Sequence, residues 1–489
     1  MQLTARSPGV DDYGRSLLLA GLALLLISAV GLLIPGSIFA YPRSIAASEP
    51  MTMLYSFPGG WLFLVGTLAL LCGGFLFALR MAARVDSRVA TPAAIGVAAA
   101  LASLYVGIYP SSSQDVFHNI ASARTLWVYG ENPLVTPPAA HPEDPLVEQV
   151  RAWRDVSSFY GPLFYAVSVI PSKLAGDDIL RNLIAFKAVN ALALLALALL
   201  VGEAAEVLAP GHRTQAIVMT GWNPLLLYEN VANGHNDVLM VLVVVAGLLL
   251  AVRGKIFGGV FAAALSAAVK YPAAPVALVV WAWSWLRGSR SERIVLLAFA
   301  LGAGAIGAAI LLLFAQQVEM GKEAAIGRPP VRSLTVLLDY ALRPALGGQA
   351  LSVARVLGWL AFGAVLLLSL RHLGPGPRSL VQATFWIMAA ITLLTVRQIY
   401  PSYLIWFVGL GGILVGTTAW EVALLASIAG LLSNIVFTDW GRWSGADDVA
   451  FMAVFVGLPA AMLLAMRWFT GQQRMAPEKL DAAETSSGG

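Results

Sequence analysis

The chain has one cysteine, Cys72, in 489 residues, which excludes an intrachain disulfide and any cysteine-based metal centre. Cys72 lies inside an apolar run and reads as a small core residue. Charge is scarce as well. Asp, Glu, Lys and Arg make up 12% of the residues against 58% hydrophobic. With a mean hydropathy of +0.77, this excludes a soluble fold and places the chain in the polytopic membrane class. The formal net charge of +4 is too small to argue for a nucleic-acid partner. No GxxxxGKS or GxxxxGKT loop, GxSxG elbow, HExxH helix or Cys/His ligand spacing occurs, which leaves no basis for cytosolic nucleotide hydrolysis. Internal repeats are missing too, as is the inverted pair of broken segments common in secondary transporters. The first apolar run has no small-residue cleavage site, so it reads as an anchor rather than a removable signal peptide.

What the chain does have is apolar runs long enough to cross roughly 30 Å of hydrocarbon. They fall at 16–36, 59–80, 91–109, 182–203, 214–230, 236–252, 294–316, 351–370, 380–396, 401–418, 421–438 and 449–467. Between 256 and 286 the run is broken at Lys270, Tyr271 and Pro272, because proline removes a donor and ends a helix. Two short half-spans fit there, giving about fourteen segments in an all-α bundle. Basic residues occupy alternate connections: Arg80, Arg84 and Arg88; His212 and Arg213; Arg253 and Lys255; Arg287, Arg290 and Arg293; Arg371 and Arg378. These loops and both termini are expected on the cytoplasmic side of the cell membrane. That parity requires residues 160–181 to lie at the interface or re-enter. One integral domain is expected over 1–468, with outer loops at 110–181 and 317–350 and a disordered cytoplasmic tail at 469–489.

The polar residues that interrupt this pattern carry the chemistry, because a charge near lipid costs several kcal/mol unless paired or wet. SSSQDVFHN, from Ser111 to Asn119, follows an apolar span directly. A helix over 114–128 puts Asp115, His118, Asn119 and Ser122 on one stripe, facing a water-filled cleft. Asp115 there either accepts a proton from an acceptor hydroxyl or merely caps the helix. With His118 it also forms a weak pair for a divalent cation; no cofactor is certain. The proline-rich stretches 132–138 and 141–145 read as a rigid extended lid.

WNPLLLYENVANGHND ends one span and opens the next with Asn233, His235, Asn236 and Asp237. Free backbone N–H groups at that helix start can bind an anion; simple capping by Asn233 is the alternative. Lys270 sits between AALSAAV and YPAAPVA with no acid nearby in sequence, and either faces a phosphate or snorkels to the interface. Arg397 follows ITLLTV and precedes Tyr400 and Tyr403, and a guanidinium grips two phosphate oxygens at once. Lys322, Arg328, Arg332 and Arg343 add further positive charge to the same outer side.

The runs DVFHNIASARTLWVYGENPLVTPP, SSFYGPLFY, WNPLLLYENVANGHND, VKYPAAP and RQIYPSYLIWF, in this order over residues 90–420, resemble the GT-C class of integral-membrane glycosyltransferases. More narrowly, they are similar to the bacterial polyprenyl-phosphate-mannose-dependent mannosyltransferases. The resemblance implies a polyprenyl-phosphate sugar donor entering from the outer leaflet among membrane lipids. It also implies a glycan or lipid-linked acceptor, an inverting displacement and a loop carboxylate as base, which by position is Asp115. His118 and Asn119 stand where relatives often carry an aromatic residue. In that scheme Lys270 and Arg397, with Arg332, face the phosphate, His235, Asn236 and Asp237 orient the donor, and Tyr400 and Tyr403 line an acceptor groove. A transporter or flippase of an anionic lipid is the competing class; it predicts access from both sides rather than a cleft under one structured loop.

Overall fold

A computed structural model describes residues 10–39, 58–113, 115–150, 153–158, 160–305, 332–436, 445–457 and 460–461. The expected tail at 469–489, the later parts of the 294–316 and 449–467 spans, and Lys322 and Arg328 lie outside the described residues. Within them the protein is all-α. The sole β feature among the described residues is an isolated antiparallel bridge between Ser37 and Ile108.

The first part of the bundle holds α1 (Val10–Ser28), α2 (Gly60–Ala82), α3 (Ser87–Val106), α4 (Asp115–Trp127), α5 (Pro162–Ala175) and α6 (Ile179–Leu208). It continues with α7 (Arg213–Gly221), a short turn at Pro224–Leu226 and a π turn at Leu227–Ala232, then α8 (Asp237–Val252), α9 (Ile256–Val269) and α10 (Ala274–Arg287). Residues 290–305 form a further helix, α11. The remainder is α12 (Leu334–Leu346), α13 (Ala350–Arg371), α14 (Pro377–Leu394), α15 (Ile405–Gly411), α16 (Thr418–Val436) and α17 (Gly445–Met452). Among the described residues, six stretches are long and apolar enough to cross a membrane, which makes this a polytopic membrane protein. The other apolar helices are shorter, among them α9 with 14 residues.

The bundle has two ends of opposite character. At one, the α2–α3 and α6–α7 connections meet through Ser87 Oγ donating to the Gly211 carbonyl at 2.6 Å. Glu203 there pairs with Arg213 at 2.9 Å and Arg253 at 3.0 Å, and Arg287 donates to the Pro375 carbonyl. The alternate basic connections expected from the sequence thus share one end. At the opposite end lie the C-terminus of α3, the N-terminus of α6, the α8 start and the α9–α10 break. Lys187 of α6, wholly buried, donates there to the Ile108 carbonyl.

The 256–286 region forms an up-and-down hairpin, with α9 and α10 returning to the basic end on either side of Lys270–Ala273. At 1.5 Å per residue, α9 is about 21 Å long, short of the roughly 30 Å of a hydrocarbon core. Close backbone approach holds α8 on α9: a Cβ on Gly247 would meet the Ala263 nitrogen and Gly259 oxygen, both at 3.0 Å. Small residues serve helix association where apolar burial adds little.

α5 does not cross the bundle. Its first turn abuts α9, with the Gly161 N–H donating to the Val269 carbonyl at 3.0 Å. Its far end, at Gly176, accepts from Arg124 and from Asn182 near the start of α6. α4 and α5 run side by side in the same direction, Tyr160 meeting Asp115 at their starts and Trp127 reaching Ser172 at 2.9 Å near their ends. The re-entrant or interfacial placement of 160–181 therefore fits the alternation of the helices.

Two local expectations need correction. α4 does not turn a polar stripe to open water: every residue from Val116 to Thr125 is buried, because α5, α6 and the loop cover it. The 132–145 stretch is also not extended throughout. It makes turns and a 3₁₀ segment at Pro138–Ala140, anchored by Asp144, which takes two bonds from buried Arg124 and one from Tyr129.

Candidate functional site

At the non-basic end, four chain segments place their polar residues together. Asp115 opens α4, but Ser113 Oγ accepts its backbone N–H at 3.1 Å, so the capping role falls to Ser113. That leaves the Asp115 carboxylate for other work. It accepts from the Tyr160 hydroxyl at 3.2 Å and lies 3.8 Å from His235 Nε2. Its side chain is about one-third exposed (32%), whereas that of His235 is 7% exposed.

The Trp222–Asp237 segment explains how His235 arrives there. Asn223 caps the turn at Pro224, accepting from the Leu225 and Leu226 N–H groups, as asparagine before an N1 proline does. The helix then widens into a π turn, a feature often met at functional sites, and ends at Gly234, whose φ of +75° suits glycine. A Cβ at Gly234 would also press on Val116. The expectation that Asn233 caps α8 is overturned: Asn230 Oδ1 accepts the Val238 N–H at 3.1 Å. Asn233 instead exchanges bonds with Ser112. Asn190 of α6 fixes the loop from below through the Asn230 and His235 carbonyls.

His235 stands between two carboxylates. Its Nδ1 meets the Glu229 carbonyl at 2.9 Å and Glu229 Oε2 at 3.2 Å. Burial alone lowers its pKa, but the Glu229 bond and the charges of Asp115, Glu229 and Asp237 reverse this and raise it to about 9. His118 behaves oppositely: burial lowers its pKa, only partly opposed by its bond to the Val156 carbonyl and by Asp115. With Nε2 on that carbonyl at 3.0 Å, His118 supports the loop. Among the described residues no group of three or more His, Cys, Asp or Glu side chains is arranged to hold a metal ion.

Lys270 does find a partner, although none stands near it in sequence. Its ammonium donates to Asp237 Oδ1 at 2.6 Å, and Trp406 Nε1 donates to the same oxygen. The rings of Tyr160, Tyr403 and Trp406 surround the ammonium at 4.9, 5.2 and 5.6 Å, within cation–π range. Snorkelling is therefore excluded. Asn236, the residue before Asp237, is 2% exposed, with neither side-chain polar atom bonded; Asn119 Oδ1 and Ser402 Oγ are likewise buried without a bond. Buried polar atoms left in this state call for an explanation, a ligand among them.

The remaining expected residues form an adjoining group. Tyr400 packs on Tyr403 at 5.4 Å between ring centres, linking the two. Arg332 is buried with φ +55°; its N–H donates to Asp448 at 2.6 Å and its carbonyl accepts from Ile399. Arg397 lies near Arg355, and partial burial together with that neighbouring charge lowers its pKa. Arg343 pairs with Asp339 on α12. Glu229, Tyr160 and Trp406 were not singled out by sequence, though Glu229 lies inside an apolar run and so carried the same signal as Lys270.

The protein is thus a polytopic helical membrane protein whose ionisable groups converge at one end of the bundle under a structured loop. Residues 18–287 match the sequence profile described as alpha-(1->6)-mannopyranosyltransferase, N-terminal domain, and the chain belongs to that family. It is 28% identical over 201 residues to alpha-(1->6)-mannopyranosyltransferase A of Mycobacterium tuberculosis, covering 40% of this chain and 37% of that protein. It is also 28% identical over 177 residues to the Corynebacterium glutamicum protein of the same name, covering 35% of each. The matched segments thus span little more than a third of these relatives. No solved structure matches the chain.

Proposed function

We propose that this protein is a mannosyltransferase of the GT-C type that uses a polyprenyl-phosphate donor and a glycan or lipid-linked acceptor at the extracytoplasmic face. The observation that carries the reading is Asp115: a partly exposed carboxylate, held by Tyr160 and His235, at the end of the bundle opposite the basic connections. The tendency of basic loops to stay cytoplasmic puts that end outside.

In this reading the acceptor hydroxyl gives its proton to an Asp115 oxygen as its own oxygen attacks the anomeric carbon. The bond from that carbon to the phosphate oxygen breaks, and polyprenyl phosphate departs with the electron pair, inverting the centre. Charge on the departing phosphate is where a protein contributes most. Because Asp237 already neutralises Lys270, Arg397 and Arg332 supply the positive field. The unbonded Asn236, Asn119 and Ser402 atoms suit sugar hydroxyls. A transporter needs access from both ends, whereas these groups gather at one. The test is sugar transfer by membranes carrying Asp115→Asn: loss of about 10²–10⁴-fold is expected for a general base, and full activity of the folded variant ends the proposal.

A further inference from the structure

His235 needs two protons to serve Asp115, and the geometry shows which group supplies the reason. Its Nδ1 faces two acceptors, the Glu229 carbonyl at 2.9 Å and Glu229 Oε2 at 3.2 Å, so a single proton on the ring resides there. Nε2 would then turn a lone pair toward the Asp115 carboxylate 3.8 Å away and repel it. A second proton, on Nε2, converts that contact into an ion pair.

Glu229 is itself placed with care. It is 1% exposed, and its two oxygens are spoken for: Asn434 Nδ2 of α16 donates to Oε1 at 2.9 Å, and Asn233 Nδ2 approaches Oε2 at 3.4 Å. A buried carboxylate survives only with such partners, and these bonds keep it aimed at the imidazole. Asp115 on α4, Glu229 on the π turn and Asp237 on α8 are the charged groups that act on His235. α6 faces it with the neutral Asn190.

We propose that Glu229 is a positioning residue for the transfer: it holds His235 as an imidazolium whose Nε2–H fixes the Asp115 carboxylate toward the acceptor hydroxyl. This rests on the reading of Asp115 as base. Glu229 touches no reacting atom; it acts through His235. With a ring pKa of about 9, the imidazolium persists across neutral pH and is lost as pH rises through 9.

The experiment is the pH profile of sugar transfer by purified wild type, Glu229→Gln and Asp115→Asn. Wild type should lose activity only as pH approaches 9. In Glu229→Gln the ring falls toward the ordinary 6.5, so activity should drop on the order of twenty-fold between pH 6 and 8 as the charged fraction falls. A structural defect would lower activity at every pH alike, and that result, or an unchanged alkaline limb, overturns the role of Glu229. An active Asp115→Asn removes both proposals; an inactive one with a wild-type alkaline limb in Glu229→Gln removes this one alone. Should Glu229→Gln not fold, NMR titration of wild type labelled at its five histidines, with His235 assigned by His235→Gln, decides. A midpoint near 9 supports the proposal, and one at or below 6.5 overturns it.

Discussion

Removing the charge of Lys270 should damage the fold more than removing both members of its pair. Asp237 is 1% exposed and Lys270 10% at the side chain. The ammonium is 2.6 Å from the carboxylate and enclosed by three aromatic rings. Lys270→Met leaves the Asp237 charge buried with Trp406 as its remaining donor, and breaking a buried pair in this way costs about 3–5 kcal/mol. Asp237→Asn should cost a similar amount, since it leaves the ammonium only the rings, at about 0.5–2 kcal/mol each. The double variant Lys270→Met, Asp237→Asn removes both charges, and its cost should fall to about 1–2 kcal/mol, for lost hydrogen bonds alone. Denaturant unfolding of the four proteins in one detergent reads the coupling directly. If the single variants sum to the double, the two residues are energetically independent and the reasoning fails. Activity should not return in the double variant, because stability and the field around the sugar are separate needs.

Two smaller predictions concern α4 and the start of α5. A Cβ at Gly161 would strike the Ala268 carbonyl, which is backbone and cannot swing aside; Gly161→Ala should destabilise by about 1–3 kcal/mol, read as a lowered unfolding midpoint. His118, whose pKa is lowered in the fold, binds its proton more readily in the unfolded chain. Its contribution to stability is therefore complete above pH 6.5 and lost as pH falls below it. The stability difference between wild type and His118→Gln should shrink from pH 7 to pH 5, and a constant difference refutes this.

The helices were legible because their cause is local: an apolar run bounded by Pro, Gly or charge. The break at Lys270 was readable for the same reason, since Pro272 stops a helix wherever it falls. Asp115 stood out because a carboxylate after a span is costly. What stayed hidden was pairing across sequence distance. Nothing local in VKYPAAP names Asp237, 33 positions away, and nothing in WNPLLLYEN names Asn434, 205 positions beyond Glu229. The stripe on α4 misled because periodicity tells which residues share a face but not what covers that face. Asn233 misled because a π turn shifts the helix start past it, and π turns have no sequence signature as plain as a cap.

The abbreviated α9 has a consequence for how anything reaches this chamber. A helix of about 21 Å that begins at one headgroup layer with the Arg253–Lys255 turn would stop short of the other, which would leave Lys270 at the bottom of a well among acyl chains. On the proposed reading, a lipid-tethered donor would keep its tail among acyl chains while its phosphate reaches that well. Thickening the host bilayer would deepen that well without altering a single side chain.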